Sequence, residues 1–515
     1  MSRGTNPYEI PQSGLAASSE SANPASSLEA CDERSGLDHG QLPDWKVGDL
    51  PEPLSFSPGN VLRTIGPGAI LLAGSIGGGE WIVGPLTAVR FGPQILWVAT
   101  VGIFLQMIFN LEAIRYTLYS GEPILTGIMR LSPGSKFWGL FYIIVGTMQL
   151  ATPAMALGCA NVLFTAGANR LPDAAGADRM PLLWIAYFVL GLTVVLLLSG
   201  KSIERMLEKL SWAMVIFIFG FLLVANILFV PATIWWKTAK GFLTPASLPQ
   251  NMDFVLLGVF AATAGSGGLG NLAISNWSRD KGLGMGKWMG SIGGVLSEGH
   301  QEASAIGRVF RPTAVNLRRW TIWWRYTLAD QTVLWAMGCV LGMYLNVNLA
   351  LAIVPADQIP DNNSAGAFQA RFMAEQLWSG FWVLALVNGF WILFSTQLGN
   401  TDCLTRIVCD SLFAGWPSIR RFTSSRIYAA LLAGFTAFGV VALALGENAV
   451  SLFKILGLLA TPILAIGAFQ ILRVNTRFLP TEIRPPMWRR VCLVACGVIY
   501  GILAVVSLTA YFTIR

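Results

Sequence analysis

Long uncharged apolar runs constrain this chain more than any other feature. Residues 137–164, 182–198, 212–230, 427–445 and 491–511 carry almost no charge. Each is roughly 17 to 28 residues long, enough for a helix to cross about 30 Å of hydrocarbon. Only 12% of residues are charged, 54% are hydrophobic and the mean hydropathy is +0.57, a balance that excludes a water-soluble enzyme. Six further runs, 64–86, 94–118, 254–275, 327–345, 381–397 and 450–471, bring the expectation to about eleven spans in an all-α polytopic membrane protein. Residues 1–58, rich in Ser, Pro, Asn and acids and without the pattern of a secretory signal, read as a disordered cytoplasmic tail. Cys159, Cys339, Cys492 and Cys496 sit in apolar stretches without metal-finger spacing and read as small buried apolar residues.

Charge then sets the expected topology. The loops after even-numbered spans hold Arg115, Arg130 and Lys136; Lys201, Arg205 and Lys209; Arg406, Arg420, Arg421 and Arg426; and Arg473, Arg477, Arg484, Arg489 and Arg490. The loop after the sixth span is the most basic, and the odd loops hold scattered cations. By the positive-inside rule the N-terminus is cytoplasmic and the C-terminus outside, in the cell membrane. The net charge of +7 is thereby accounted for without a nucleic-acid partner.

Two spans are interrupted by glycine. The first reads Gly74-Ser75-Ile76-Gly77-Gly78-Gly79-Glu80-Trp81 and the sixth Ala262-Thr263-Ala264-Gly265-Ser266-Gly267-Gly268. Each glycine costs roughly 1 kcal/mol in a helix interior relative to alanine, so such clusters should unwind the helix. Freed backbone groups are tolerable in a bilayer only where they are buried in protein or line a wet cavity. Breaks in spans one and six occupy corresponding positions of a five-plus-five inverted repeat, where a transporter site is expected. The candidate substrate site is therefore Ser75, Gly77, Gly78, Gly79, Glu80, Thr263, Gly265, Ser266 and Gly267.

Gly66-Pro67-Gly68 opening the first span, the Gly-Ser-Ile followed by a four-residue break and Trp81, and Ala262-Thr263 in the sixth resemble the NRAMP family of proton-coupled divalent-metal transporters. The resemblance covers about residues 60 to 475. It implies the leucine-transporter type of inverted repeat, with repeat one at about 62–231 and repeat two at about 253–472 within a core at 59–475, followed by a loop and eleventh helix at 476–515. It also implies alternating access around a midplane site.

The carry-over is incomplete. The family's first-helix Asp-Pro-Gly-Asn is here Gly77-Gly78-Gly79-Glu80, its sixth-helix Met-Pro-His is Gly265-Ser266-Gly267, and its tenth-helix Gln is Lys454. The soft ligand and the histidine are missing, which leaves an oxygen-rich site of Glu80, Ser75, Ser266, Thr263 and freed backbone carbonyls. No metal-ligand set is assigned. Glu80, a carboxylate deep in a span, is the expected proton carrier or ligand. Lys454 either faces the site or snorkels to the interface. Asp330, Asn388, Gln397, Asn400 and Asp402 read as polar glue between helices.

The leading expectation is an NRAMP-related secondary transporter of an ion, by resemblance a divalent cation, with protons as coupling ion, the lipid bilayer as its surroundings and no cofactor. A transporter of a small carboxylate or zwitterion is the alternative, because half-helix N-termini attract anions. A non-transporting sensor on the same fold is a further one. No catalytic constellation or nucleotide motif is present, so an enzyme is not expected.

Overall fold

A computed structural model describes residues 38–173, 176–199, 203–293, 304–354, 365–445 and 449–513, the side chains of 365–369 and 449–454 excepted. Among these, ten helices are long and apolar enough to cross a membrane, and the apolar helix Phe254–Thr263 is shorter. That short helix continues after an interruption as Leu269–Asp280, so the sixth span is two half-helices. Ten of the eleven expected runs thus fall in helices of spanning length, and the run at 254–275 falls in two shorter ones.

The spans are not equally buried. The most apolar stretch of the first span, Pro67–Phe91, is 78% buried, against 28–33% for the fourth, fifth, ninth and eleventh, so the first lies inside the bundle and the others ring it. Trp184, Phe188, Ile216, Ile227 and Val505 on those outer spans are exposed, as lipid-facing side chains should be. The third span is broken between Ser135–Leu150 and Ala154–Ala168. The expected continuous helix at 137–164 fails there because Pro153 has no N–H to donate into the helical ladder. The seventh span contains a π-helical stretch, Ala329–Ala336, between Ala314–Leu328 and Met337–Ile353.

The described part of the N-terminal segment packs against the helices. Lys46–Val47 pairs in parallel with Arg308–Val309, and Trp45 packs edge-on against Tyr119 and Phe478. Arg130 donates to the carbonyls of His39 and Pro43, and the buried Trp323 donates to that of Pro51 at 2.8 Å. These contacts gather the loops after the second, sixth and tenth spans at one end with the N-terminal segment. At that end Glu122 is buried against Arg130, with oxygens at 2.6 and 2.9 Å. Burial pushes its carboxyl up, but the guanidinium and its hydrogen bonds outweigh burial and hold it below the usual range. Glu112 and Arg115 form a buried 2.6 Å pair also reached by Arg489.

Of the polar residues assigned to packing, Asp330 and Asp402 bond between helices, Gln397 bonds within its own helix, and the Asn388 side-chain oxygen is buried without a hydrogen-bond partner. Asp330 accepts from the backbone N–H groups of Gly66 and Gly68, capping the first span across the bundle. Asp402 accepts from Trp277, Arg406 and Tyr428. Gln397 donates to Thr401 one turn on.

Candidate functional site

The first break is narrower than a fully unwound segment. The helix Pro67–Ser75 ends at Ile76, Gly77 leaves helical geometry at ψ −93°, and the chain then runs as a π-helical turn, Gly78–Val83, into the helix Gly84–Phe91. Ending a helix here strands the carbonyls of Ala73 and Gly74, which would have bonded to Gly77 and Gly78. The eighth span satisfies them: Ser395 donates to Ala73 at 2.7 Å and Thr396 to Gly74 at 3.0 Å. The sixth-span break turns on Gly267 and Gly268, whose φ of 66° and 90° lie in the left-handed region that disfavours other residues.

Around this second break several freed groups have side-chain partners. Gln106 accepts from the Ser266 N–H at 2.9 Å and donates to the Ala262 carbonyl at 3.0 Å, and Tyr500 donates to Ala261 at 3.0 Å. Gln149 donates to Gly267 and accepts from Leu269, and Asn271 accepts from Gly268. Asn271, Asn110, Gln331 and Asp330 then form a buried hydrogen-bonded relay from the sixth-span break to the start of the first span. Of the freed backbone carbonyls expected as ligands, those of Ala73, Gly74, Ala261, Ala262 and Gly267 accept from glutamine, tyrosine, serine or threonine side chains. The half-helix N–H groups that would hold an anion, those of Gly268 and Leu269, are taken as well.

The two breaks meet. A Cβ on Gly79 would run into the backbone carbonyl of Thr263, so only glycine permits this approach. Ser75 and Ser266 are 2.8 Å apart, and Trp335 from the seventh-span π-helix donates to both, at 3.2 and 3.0 Å. Ser75 gives its own proton to Leu71, so Ser266 is the donor between the two serines. Ser266 keeps exposed surface at mid-span, as do Gly74 and Gly270.

Glu80 is fully buried, and neither carboxylate oxygen has a hydrogen-bond partner. A cysteine of the seventh span, Cys339, lies against it and against Ser75. Among the described residues no three His, Cys, Asp or Glu gather as a metal cluster.

The structure thus brings together Ser75, Gly79, Glu80, Thr263 and Ser266. Gly77 backs onto Thr396, and Gly265 onto Gln106 and Trp335. Gly78 lies in the π-helical turn and Gly267 in the second break. The side chain of Lys454 lies outside the described residues. Sequence reasoning missed Gln106, Gln149 and Trp335, each an uncharged polar or aromatic residue in an apolar run. Their only signal was the cost of a buried amide or indole N–H without a partner.

No protein-family model matches the chain. It is 27% identical over 209 residues to the divalent metal cation transporter MntH of Latilactobacillus sakei, covering 39% of this chain and 42% of that protein. It is 28% identical over 148 residues to an uncharacterized protein of Pasteurella multocida, covering 28% and 31%. The matched stretches span less than half the length of these curated relatives. In fold it resembles a manganese transporter of Eremococcus coleocola, with a TM-score of 0.65 at 17% identity over 90% of this chain and 89% of that one. The same transporter in complex with an aromatic bis-isothiourea compound gives 0.64 at 14% identity, covering 93% and 92%. MhsT in complex with L-phenylalanine gives 0.50 at 13%, covering 86% and 98%. These neighbours carry the leucine-transporter type of fold, and the chain is an integral, multi-pass membrane protein that is NRAMP-like in architecture with the residues of that family's metal-binding motif replaced.

Proposed function

We propose that the protein is a secondary transporter that moves a divalent metal cation, with manganese the first candidate, between the broken first and sixth spans. The observation that carries this reading is Glu80, a fully buried carboxylate without a hydrogen-bond partner where the two breaks converge. An unpaired carboxylate in the membrane interior is stable only when a proton or a cation neutralises it. Glu80 is accordingly assigned to both tasks in turn, holding a proton when the site is empty and giving it up to water when the cation takes its place, so that proton and cation are exchanged across the membrane. Ser75, Ser266 and Thr263 supply further oxygen ligands, and Gly77, Gly78, Gly79, Gly265 and Gly267 allow the close approach.

The names of the relatives support the cation reading, as does the loss of N–H donors that an anionic substrate would need. The carboxylate alternative is therefore set aside. The basic end is assigned to the cytoplasm, with the C-terminus outside, in the plasma membrane. The core at 59–475 is assigned to transport and the eleventh helix to a flanking role.

Uptake by purified protein in liposomes tests this. Manganese uptake driven by an outward proton gradient, and lost in Glu80→Gln, is expected. A wild type inert toward manganese, magnesium and other divalent cations, or an unaffected variant, overturns the proposal.

A further inference from the structure

The sequence motif lacks a soft ligand, yet the seventh span brings one sulfur, that of Cys339, to Glu80 and a second, that of Met343, to Gly84 one turn further on. The seventh span packs closely on the first because it presents glycines to it: a Cβ on Gly338 would lie 2.6 Å from Leu72, and one on Gly342 3.5 Å from Ile76. On the following residues, Cys339 and Met343, four apart and so on one helix face, both side chains are fully buried. The Cys339 thiol lies against the Glu80 carboxylate and Ser75. The Met343 thioether is bracketed by its neighbouring carbons, Cγ and Cε, which would lie 3.1 and 3.3 Å from a Cβ on Gly84, one turn beyond Glu80. Buried cysteine and methionine are ordinary packing residues in most spans. What sets this pair apart is the adjoining Glu80 carboxylate, fully buried and with no polar neighbour bonded to it other than the Cys339 thiol.

We infer that Cys339 and Met343 are substrate ligands, and that with Glu80 and the Ser75 hydroxyl they select a soft or borderline cation, of the class of Cd2+, Zn2+ and Fe2+, over hard Mg2+ and Ca2+. This rests on the cation reading of the site and deepens it. Thiolate and thioether bind soft metals far better than hard ones, whereas the oxygen ligands alone would not discriminate in that direction. As the metal–sulfur bond forms the Cys339 S–H bond breaks, and its proton passes to water, so binding releases a proton. The reading of Cys339 as an inert apolar residue is thereby replaced by one in which it faces the substrate.

Titration of the purified full-length chain with Cd2+ and with Mg2+ tests the inference, wild type beside Cys339→Ser, Met343→Leu and, as a thiol control, Cys496→Ser. Each substitution keeps volume and polarity close to the original, and a melting curve for each establishes that it is folded. The wild type should bind Cd2+ with a thiolate-to-metal ultraviolet absorption band and bind Mg2+ far more weakly. Cys339→Ser should lose the band and roughly 10- to 100-fold in Cd2+ affinity, the scale of loss on removing a metal-site partner. Met343→Leu should lose less, and Cys496→Ser nothing. A folded Cys339→Ser with an unchanged band and affinity overturns the inference, as does a wild type that binds Mg2+ as tightly as Cd2+. If manganese uptake in liposomes persists in either case, the transporter reading stands and only the sulfur assignment falls. A wild type that binds no divalent cation removes both.

Discussion

The first and sixth spans are broken by the same residue type at corresponding places, yet the two breaks end in opposite states. At the sixth-span break Gln106, Gln149, Asn271 and Tyr500 occupy the freed backbone groups, and the turn is fixed by two left-handed glycines. At the first, the carbonyls of Ala73 and Gly74 are also taken, but a carboxylate is left in the membrane interior with only the Cys339 thiol against it. A glycine break therefore does not make a site by itself. Whether the polar groups it brings to the bilayer centre are satisfied decides whether the segment is scaffold or is held ready for a ligand.

The contrast can be broken by substitutions that separate stability from transport. Gly79→Ala should do the most damage, because its methyl meets the Thr263 backbone rather than a side chain that can turn away. A loss of about 3 kcal/mol or more, seen as failure to purify as a monodisperse species, is expected from overpacking of this kind. Gln149→Ala should come next, at about 2 to 3 kcal/mol, since it strands the Gly267 carbonyl and the Leu269 N–H together. Gly268→Ala should cost about 1 to 2 kcal/mol, the strain of a left-handed residue with a Cβ. Glu80→Gln closes the series at the other extreme: a melting temperature little changed, because a neutral carboxyl is replaced by an amide of the same size, with transport lost. Melting curves in detergent beside uptake in liposomes read all four. A Gln149→Ala protein as stable as wild type, or a Glu80→Gln protein that falls apart, would erase the distinction between the breaks.

Much of the architecture was legible because hydrocarbon thickness imposes a length and composition on each span, and because glycine clusters in the first and sixth stand out against apolar runs. Ser75, Glu80 and Ser266 were found for that reason. The π-helix at Ala329–Ala336 and its Trp335 were not, since a π-turn arises from tertiary packing and has no local residue code. The third-span break carried a signal, Pro153, which long apolar flanks outweighed. Cys339 and Met343 were illegible as ligands because nothing in the seventh span says that it lies against the glycine break of the first. Gln106 and Gln149 were overlooked because an amide in an apolar run reveals its role only when the backbone group it serves is known.

The central claim is that Glu80 is the group that meets the cation. A ligand that binds only the folded state raises its melting temperature by mass action. The most direct measurement is the melting temperature of the purified protein as manganese is added, wild type against Glu80→Gln at one fixed pH. A rise with manganese in the wild type that is absent in the variant is the result this account predicts. An equal rise in both would place the cation elsewhere and contradict it.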